Sequence, residues 1–107
     1  MAAWWKVILD TAHKYAAHSG AGTLAGDVAI EFLTTTGAEA LVITDGKAGQ
    51  HLFVTMVADG GAGTISSATT NLVTYTTIVF DDVGDWGCFR FNGRAWELIA
   101  NRGLTLT

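Results

Sequence analysis

From residue 26 onward, apolar and polar residues alternate in short runs. Residues 27–34 (DVAIEFLT) carry Val28, Ile30 and Phe32 at every second position, and these three cannot all face water. Residues 39–44 (EALVIT) form a short apolar run. Residues 50–58 (QHLFVTMVA) place Leu52, Val54 and Met56 on one face and Phe53 and Val57 on the other. Residues 76–80 (TTIVF) are β-branched and aromatic, a composition that suits a pleated, half-buried surface. Residues 85–92 (DWGCFRFN) and 94–101 (RAWELIAN) complete the set. Thr-Gly, Asp-Gly, Gly-Gly and Asn-Gly steps bound these runs and signal turns. Short strands at this spacing predict an all-β domain over 26–107, a small antiparallel β-sandwich or barrel.

The first 25 residues read differently. Trp5, Ile8, Ala12 and Tyr15 recur at helical spacing, with Lys6, Asp10, His13 and Lys14 on the opposite side. Val7, Ile8 and Thr11 are β-branched, however, and residues 4–9 serve equally well as a strand. Residues 1–25 are therefore an N-terminal segment, helix or extended arm, in a chain that forms one globular domain overall. The Trp4–Trp5 pair is too much aromatic surface to leave wet. It packs in the core or docks on a neighbouring subunit.

Asn92-Gly93 is the sharpest local signal. Both residues tolerate positive φ, which favours a two-residue type I′ hairpin turn. That turn sets Phe91 opposite Arg94, Arg90 opposite Ala95, Phe89 opposite Trp96 and Trp86 opposite Ile99. One face then carries Phe89, Phe91, Trp96 and Leu98 towards the core. The other carries Trp86, Cys88, Arg90, Glu97 and Ile99, with Arg90 and Glu97 diagonal neighbours within ion-pair reach. Trp86 and Ile99 make this second face apolar too, which predicts that another subunit covers it.

Composition sharpens that expectation. Half of the 107 residues are hydrophobic and 15% are charged, against an average near 25%. Disorder needs the opposite balance. One core is feasible, since a chain of this length buries roughly 65% of its unfolded surface. The remaining surface has few charges to dress it, so neutral Thr, Ser, Asn and Gly or another chain must cover it. The net charge is −4, and Lys6, Lys14, Lys47, Arg90, Arg94 and Arg102 are scattered. This argues against binding nucleic acid or an anionic membrane. Residues 1–10 lack the basic start of a signal peptide, and no run reaches the roughly 20 apolar residues of a membrane span. The single Cys88 forms no internal disulfide and fits a protein made in the cytoplasm.

The motifs that carry chemistry are weak. Residues 20–25 match a loose G-x-G-x-x-A string, but a strand-like run follows where a dinucleotide site needs a helix. Residues 59–63 (DGGAG) suit a glycine-rich loop. His13, His18 and His51 lack the i, i+4 spacing of a helical zinc site. Asp81, Asp82 and Asp85 can serve acid–base chemistry or calcium, but at a turn such residues mostly cap backbone N–H groups. Cys88 has no histidine near it in sequence. No nucleophile, base and oxyanion hole assemble, so the expectation is a non-enzymatic protein without cofactor or metal.

The run Thr76–Ile78–Phe80, the Gly84-Asp85-Trp86 step, the Asn92-Gly93 turn and the following Trp96-Glu97-Leu98-Ile99 resemble a β module of tailed-bacteriophage virion proteins. These are capsid decoration (cement) proteins, head fibres and tail-fibre domains. Residues 37–44 and 48–54 look like the same module's earlier strand pair around an Ala48-Gly49-Gln50 turn. The resemblance spans residues 26 to 103 and is a pattern of strands and turns. It implies a structural protein of the virion, on the capsid exterior. Its implied partners are copies of itself, as a homotrimer, and the major capsid protein. Trp4, Trp5, Trp86, Arg90 and Ile99 are the expected contact residues. The alternative is a receptor- or glycan-binding module of a tail fibre or spike. There, Tyr75 and Trp86 would stack on sugar rings while Asp81, Asp82 and Asp85 accept hydroxyls.

Overall fold

The computed structural model describes residues 14–107. Trp4, Trp5, His13 and the proposed N-terminal helix or arm up to residue 13 lie outside the described residues. Ten strands follow: β1 (Tyr15–Ser19), β2 (Gly22–Thr23), β3 (Ile30–Thr34), β4 (Glu39–Val42), β5 (His51–Ala58), β6 (Gly63–Ser66), β7 (Thr77–Phe80), β8 (Trp86–Phe91), β9 (Trp96–Arg102) and β10 (Thr105–Leu106). They form two packed five-stranded sheets, ordered β1-β3-β5-β8-β9 and β10-β7-β6-β4-β2. The all-β sandwich is as expected.

The sheets are mixed, which corrects the antiparallel expectation. Through β6 the chain crosses from one sheet to the other at every strand. Each strand from β3 to β6 pairs in parallel with the strand two places before it. A parallel pair needs a long connection, and here each connection contains a strand of the opposite sheet. The Thr-Gly, Asp-Gly and Gly-Gly steps are corners of this flattened coil, not hairpin turns. The strands β4 and β5 flank Ala48-Gly49-Gln50 but lie in different sheets, so they are not a pair. From β7 the chain reverses. β7 returns antiparallel on β6, β8 on β5, β9 on β8, and β10 on β7. The sheets also begin before residue 26, since β1 and β2 pair with β3 and β4.

The core lies between the sheets. Leu33, Leu52, Val54, Met56, Phe89, Phe91 and Trp96 come from the first sheet, and Leu41, Ile65, Ile78 and Phe80 from the second. Each such side chain contributes about 1.5–3 kcal/mol on full burial. The Trp96 indole N–H donates to the Thr44 carbonyl at 3.0 Å, and its ring meets Phe91 edge to face at 5.2 Å.

Glycines fix the corners where coils stack. A Cβ at Gly60 would run into the backbone of Thr35 and Thr36, and one at Gly61 into Gly37 and Ala38. The Thr35 hydroxyl donates to the Gly61 carbonyl at 2.7 Å and accepts from the Gly60 N–H at 3.0 Å, tying one coil's corner to the next.

The β8–β9 hairpin is present, with a longer turn than expected. Phe91 pairs with Trp96, Arg90 with Glu97 and Phe89 with Leu98, leaving residues 92–95 as the connection. The Asn92 carboxamide oxygen accepts from the N–H groups of Arg94 and Ala95, both at 2.9 Å. This side-chain turn competes with the two-residue backbone turn and wins. A slip of two residues leaves every side chain on its expected face. The ladder shifts again between Cys88 and Phe89, where Ile99 is the extra residue of a bulge.

Candidate functional site: the outer face of the first sheet

The strand pattern inverts at β3. Glu31 and Leu33 are buried between the sheets, while Ile30, Phe32 and Thr34 point outward and stay half-buried. Val28, Ile30 and Phe32 do not all face water, as the alternation requires: Val28 packs against the core, and Ile30 and Phe32 are half-buried on the outer side of the sheet. The register of β3 is fixed by parallel ladders on both sides, to β1 and to β5. Leu33 takes the core position that the register offers, and Glu31 follows it inward.

The same side of the sheet carries an apolar row across its width. In register, Tyr15 neighbours Ile30, Ile30 neighbours Phe53, Phe53 neighbours Cys88, and Cys88 neighbours Ala100. The next row runs Ala17, Phe32, Thr55, Trp86 and Arg102. Five strands at about 4.8 Å spacing make a face about 19 Å across. Its aromatics partly shelter one another. Phe53 stacks on Trp86 with centroids 5.2 Å apart, and Tyr15 meets Phe32 edge to face at 5.8 Å. Tyr15 remains 65% exposed, Val57 47% and Ile99 45%.

Three expected contact residues lie on this face. Trp86 sits in the second row. Arg90 and Glu97 form an ion pair at 2.7 Å directly across the ladder, beside the apolar rows. The Arg90 guanidinium, then the Asn92 amide, hold the Glu97 carboxyl below its usual value. Ile99 stands exposed at the bulge. The structure adds Tyr15, Ile30, Phe32 and Phe53. In sequence, Ile30 and Phe32 stand out in the 27–34 alternation and Phe53 on the second face of the 50–58 run, while Tyr15 stands out only on the apolar side of a helical reading. Burial pushes the Cys88 thiol up from its ordinary pKa, so it is a poor nucleophile.

The other candidates disperse. The Asp85 carboxylate is buried and accepts from the N–H groups of Asp81 and Asp82, both at 3.0 Å, so it closes the β7–β8 turn. Asp81 accepts from the Thr105 hydroxyl at 3.2 Å. Tyr75 packs against the core, beside a small groove that also holds Arg90, Glu97 and Ile99. His18 bonds the Gly20 carbonyl through Nε2 at 2.9 Å, and His51 is exposed. Among the described residues, no group of three His, Cys, Asp or Glu is placed to hold a metal, and no helix is long and apolar enough to cross a membrane. A groove of about 600 Å³ runs beside Lys14, Asp27, Lys47 and His51, where charges of both signs mix.

No protein-family model and no curated protein matches the chain.

Proposed function

We propose that this chain is a non-enzymatic structural protein of a tailed-phage virion, which decorates and stabilises the capsid exterior through contacts with its own copies and with the major capsid protein. The observation that carries the reading is the outer face of the first sheet. Tyr15, Ile30, Phe32, Phe53 and Trp86 lie there while a carboxylic acid is held inside. A protein that spent its life in water would gain by the reverse arrangement. Burying the face against a partner recovers the cost. On a capsid lattice many modest contacts act together, so each need not be tight alone. The low charged fraction and the resemblance of the C-terminal strands and turns to virion β modules point the same way.

A tail-fibre or spike module that binds a glycan receptor is the second reading. The Phe53–Trp86 stack favours it, since flat aromatic surface suits a sugar ring. The Asp85 carboxylate does not, because it is already engaged by its own turn. Rebinding separates the two. Purified protein added to capsids stripped of their accessory proteins binds in hundreds of copies under the first reading. Binding to host cells, with no uptake by capsids, overturns it in favour of the second.

A further inference from the structure

We infer that Glu31 is a pH-sensitive latch on the first coil of the fold: as the neutral acid it lets the β2–β3 crossover close over β1 and β3, and on ionising it loosens that closure. The carboxyl lies inside the sandwich, with the residue 1% exposed. Oε1 accepts from the backbone N–H of Ala25, at the start of the crossover, at a long 3.4 Å. Oε2 is buried and has no hydrogen-bond partner. Buried carboxylates are normally held by several donors, and a buried charge without them is far costlier than a buried neutral acid.

Few charges act on this group. His18 on β1 favours the ionised form and Asp27 in the crossover opposes it. In the ladders Glu31 pairs with Ala16 of β1 and Val54 of β5. On β4 and β6 the residues of the inward side are Leu41, Gly63 and Ile65, which are uncharged, and Glu39 beside Gly63, whose carboxyl accepts from the Thr36 hydroxyl and N–H. Burial is the main influence and raises the carboxyl pKa, the Ala25 N–H and His18 pull it down, and Asp27 adds to the rise. The folded value thus lies above the unfolded one. The favourable, neutral-acid state is fully present below the unfolded value and is lost as pH rises through the folded value. Ionisation is relieved by opening the crossover to water. Leu24, whose N–H bonds the Val42 carbonyl at 2.8 Å, and the short β2 are the parts such opening would release.

The test is amide hydrogen exchange on the full chain, corrected for intrinsic rate, from pH 4 to pH 8. The opening constant at Leu24, Ala25 and the β1 amides should rise by as much as tenfold per pH unit between the ordinary carboxylate value and the folded value of Glu31, then level off. In E31Q it should stay flat, and in H18Q the rise should remain. A rise that persists undiminished in E31Q, or no rise in the wild type, overturns the latch. If E31Q does not fold, the carbon-13 shift of the wild-type Glu31 carboxyl decides. A raised midpoint supports the latch, and an ordinary one overturns it.

Discussion

Phe32 points outward from the first sheet while its chain neighbour Glu31 is buried between the sheets. The two are adjacent, and the strand period sends them to opposite sides. Their chemistry calls for the reverse placement. On the proposed function, the outer side is also an interior, closed by another protein. Along the same side Phe32 neighbours Thr55 and Ala17, and Tyr15 leans on its edge.

Trp86→Ala should separate binding from folding. The Phe53 stack is solvent-facing, so its loss should cost about 0.5–1.5 kcal/mol for the aromatic pair, with somewhat more for the area uncovered. Urea denaturation should show a modest loss of stability, while uptake by stripped capsids should fall at least tenfold.

Trp96→Ala should unfold the protein or nearly so. The ring is fully buried, and removing it leaves a large cavity and a Thr44 carbonyl without its donor. A loss of about 3–5 kcal/mol is expected, and urea unfolding followed by tryptophan fluorescence and circular dichroism measures it.

Gly61→Ala places a methyl group against the backbone of Gly37 and Ala38. Backbone cannot swing aside as a flexible side chain can, so the coil corners must part. Overpacking of this kind costs about 1–3 kcal/mol. By contrast, Gly37→Ala meets open space and should change the melting temperature little.

Acid should weaken the fold at two half-buried carboxylates. The Thr36 hydroxyl, then the Thr36 N–H, hold the Glu39 carboxyl below its usual value, and Arg90 does the same for Glu97. Both folded values are depressed. The stability they contribute is present above the unfolded values and is lost as pH falls through the folded ones. Urea midpoints between pH 7 and pH 3 should drop less steeply in the Glu39→Gln, Glu97→Gln double variant than in the wild type. Identical slopes would show that neither group is engaged.

Cys88 reports on the outer face without a mutation. Its raised pKa predicts slow alkylation at neutral pH, faster as the pH climbs. It lies between Phe53 and Ala100 in the first apolar row. In assembled particles the thiol should be protected from a maleimide that modifies the free protein.

Much of the sandwich was legible from the pattern alone. The 50–58 run, with Leu52, Val54 and Met56 on one face, is β5 with those residues buried. The inward set Phe89, Phe91, Trp96 and Leu98 also follows from alternation. The coil was not legible, because a strand has the same period of two in parallel and antiparallel pairing. Nor was β1: Tyr15–Ser19 reads YAAHS, with little alternation to find. The pattern of 27–34 showed that Val28, Ile30 and Phe32 need cover but not what covers them, because hydrophobicity names the apolar side and not the side that faces this chain's own core. That ambiguity has the same origin as the candidate site. Trp86 and Ile99 were found because the Asn92-Gly93 turn paired two strands whose faces were both apolar. Ile30 and Phe32 had no such partner to expose the surplus.

A reconstruction of the particle that carries this chain tests the central claim most directly. It should show many copies on the capsid exterior, each with Tyr15, Ile30, Phe32, Phe53 and Trp86 covered by another copy or by the major capsid protein. A chain found at the tip of a tail fibre, or on the capsid with this face open to solvent and a different surface making the contacts, would contradict the account.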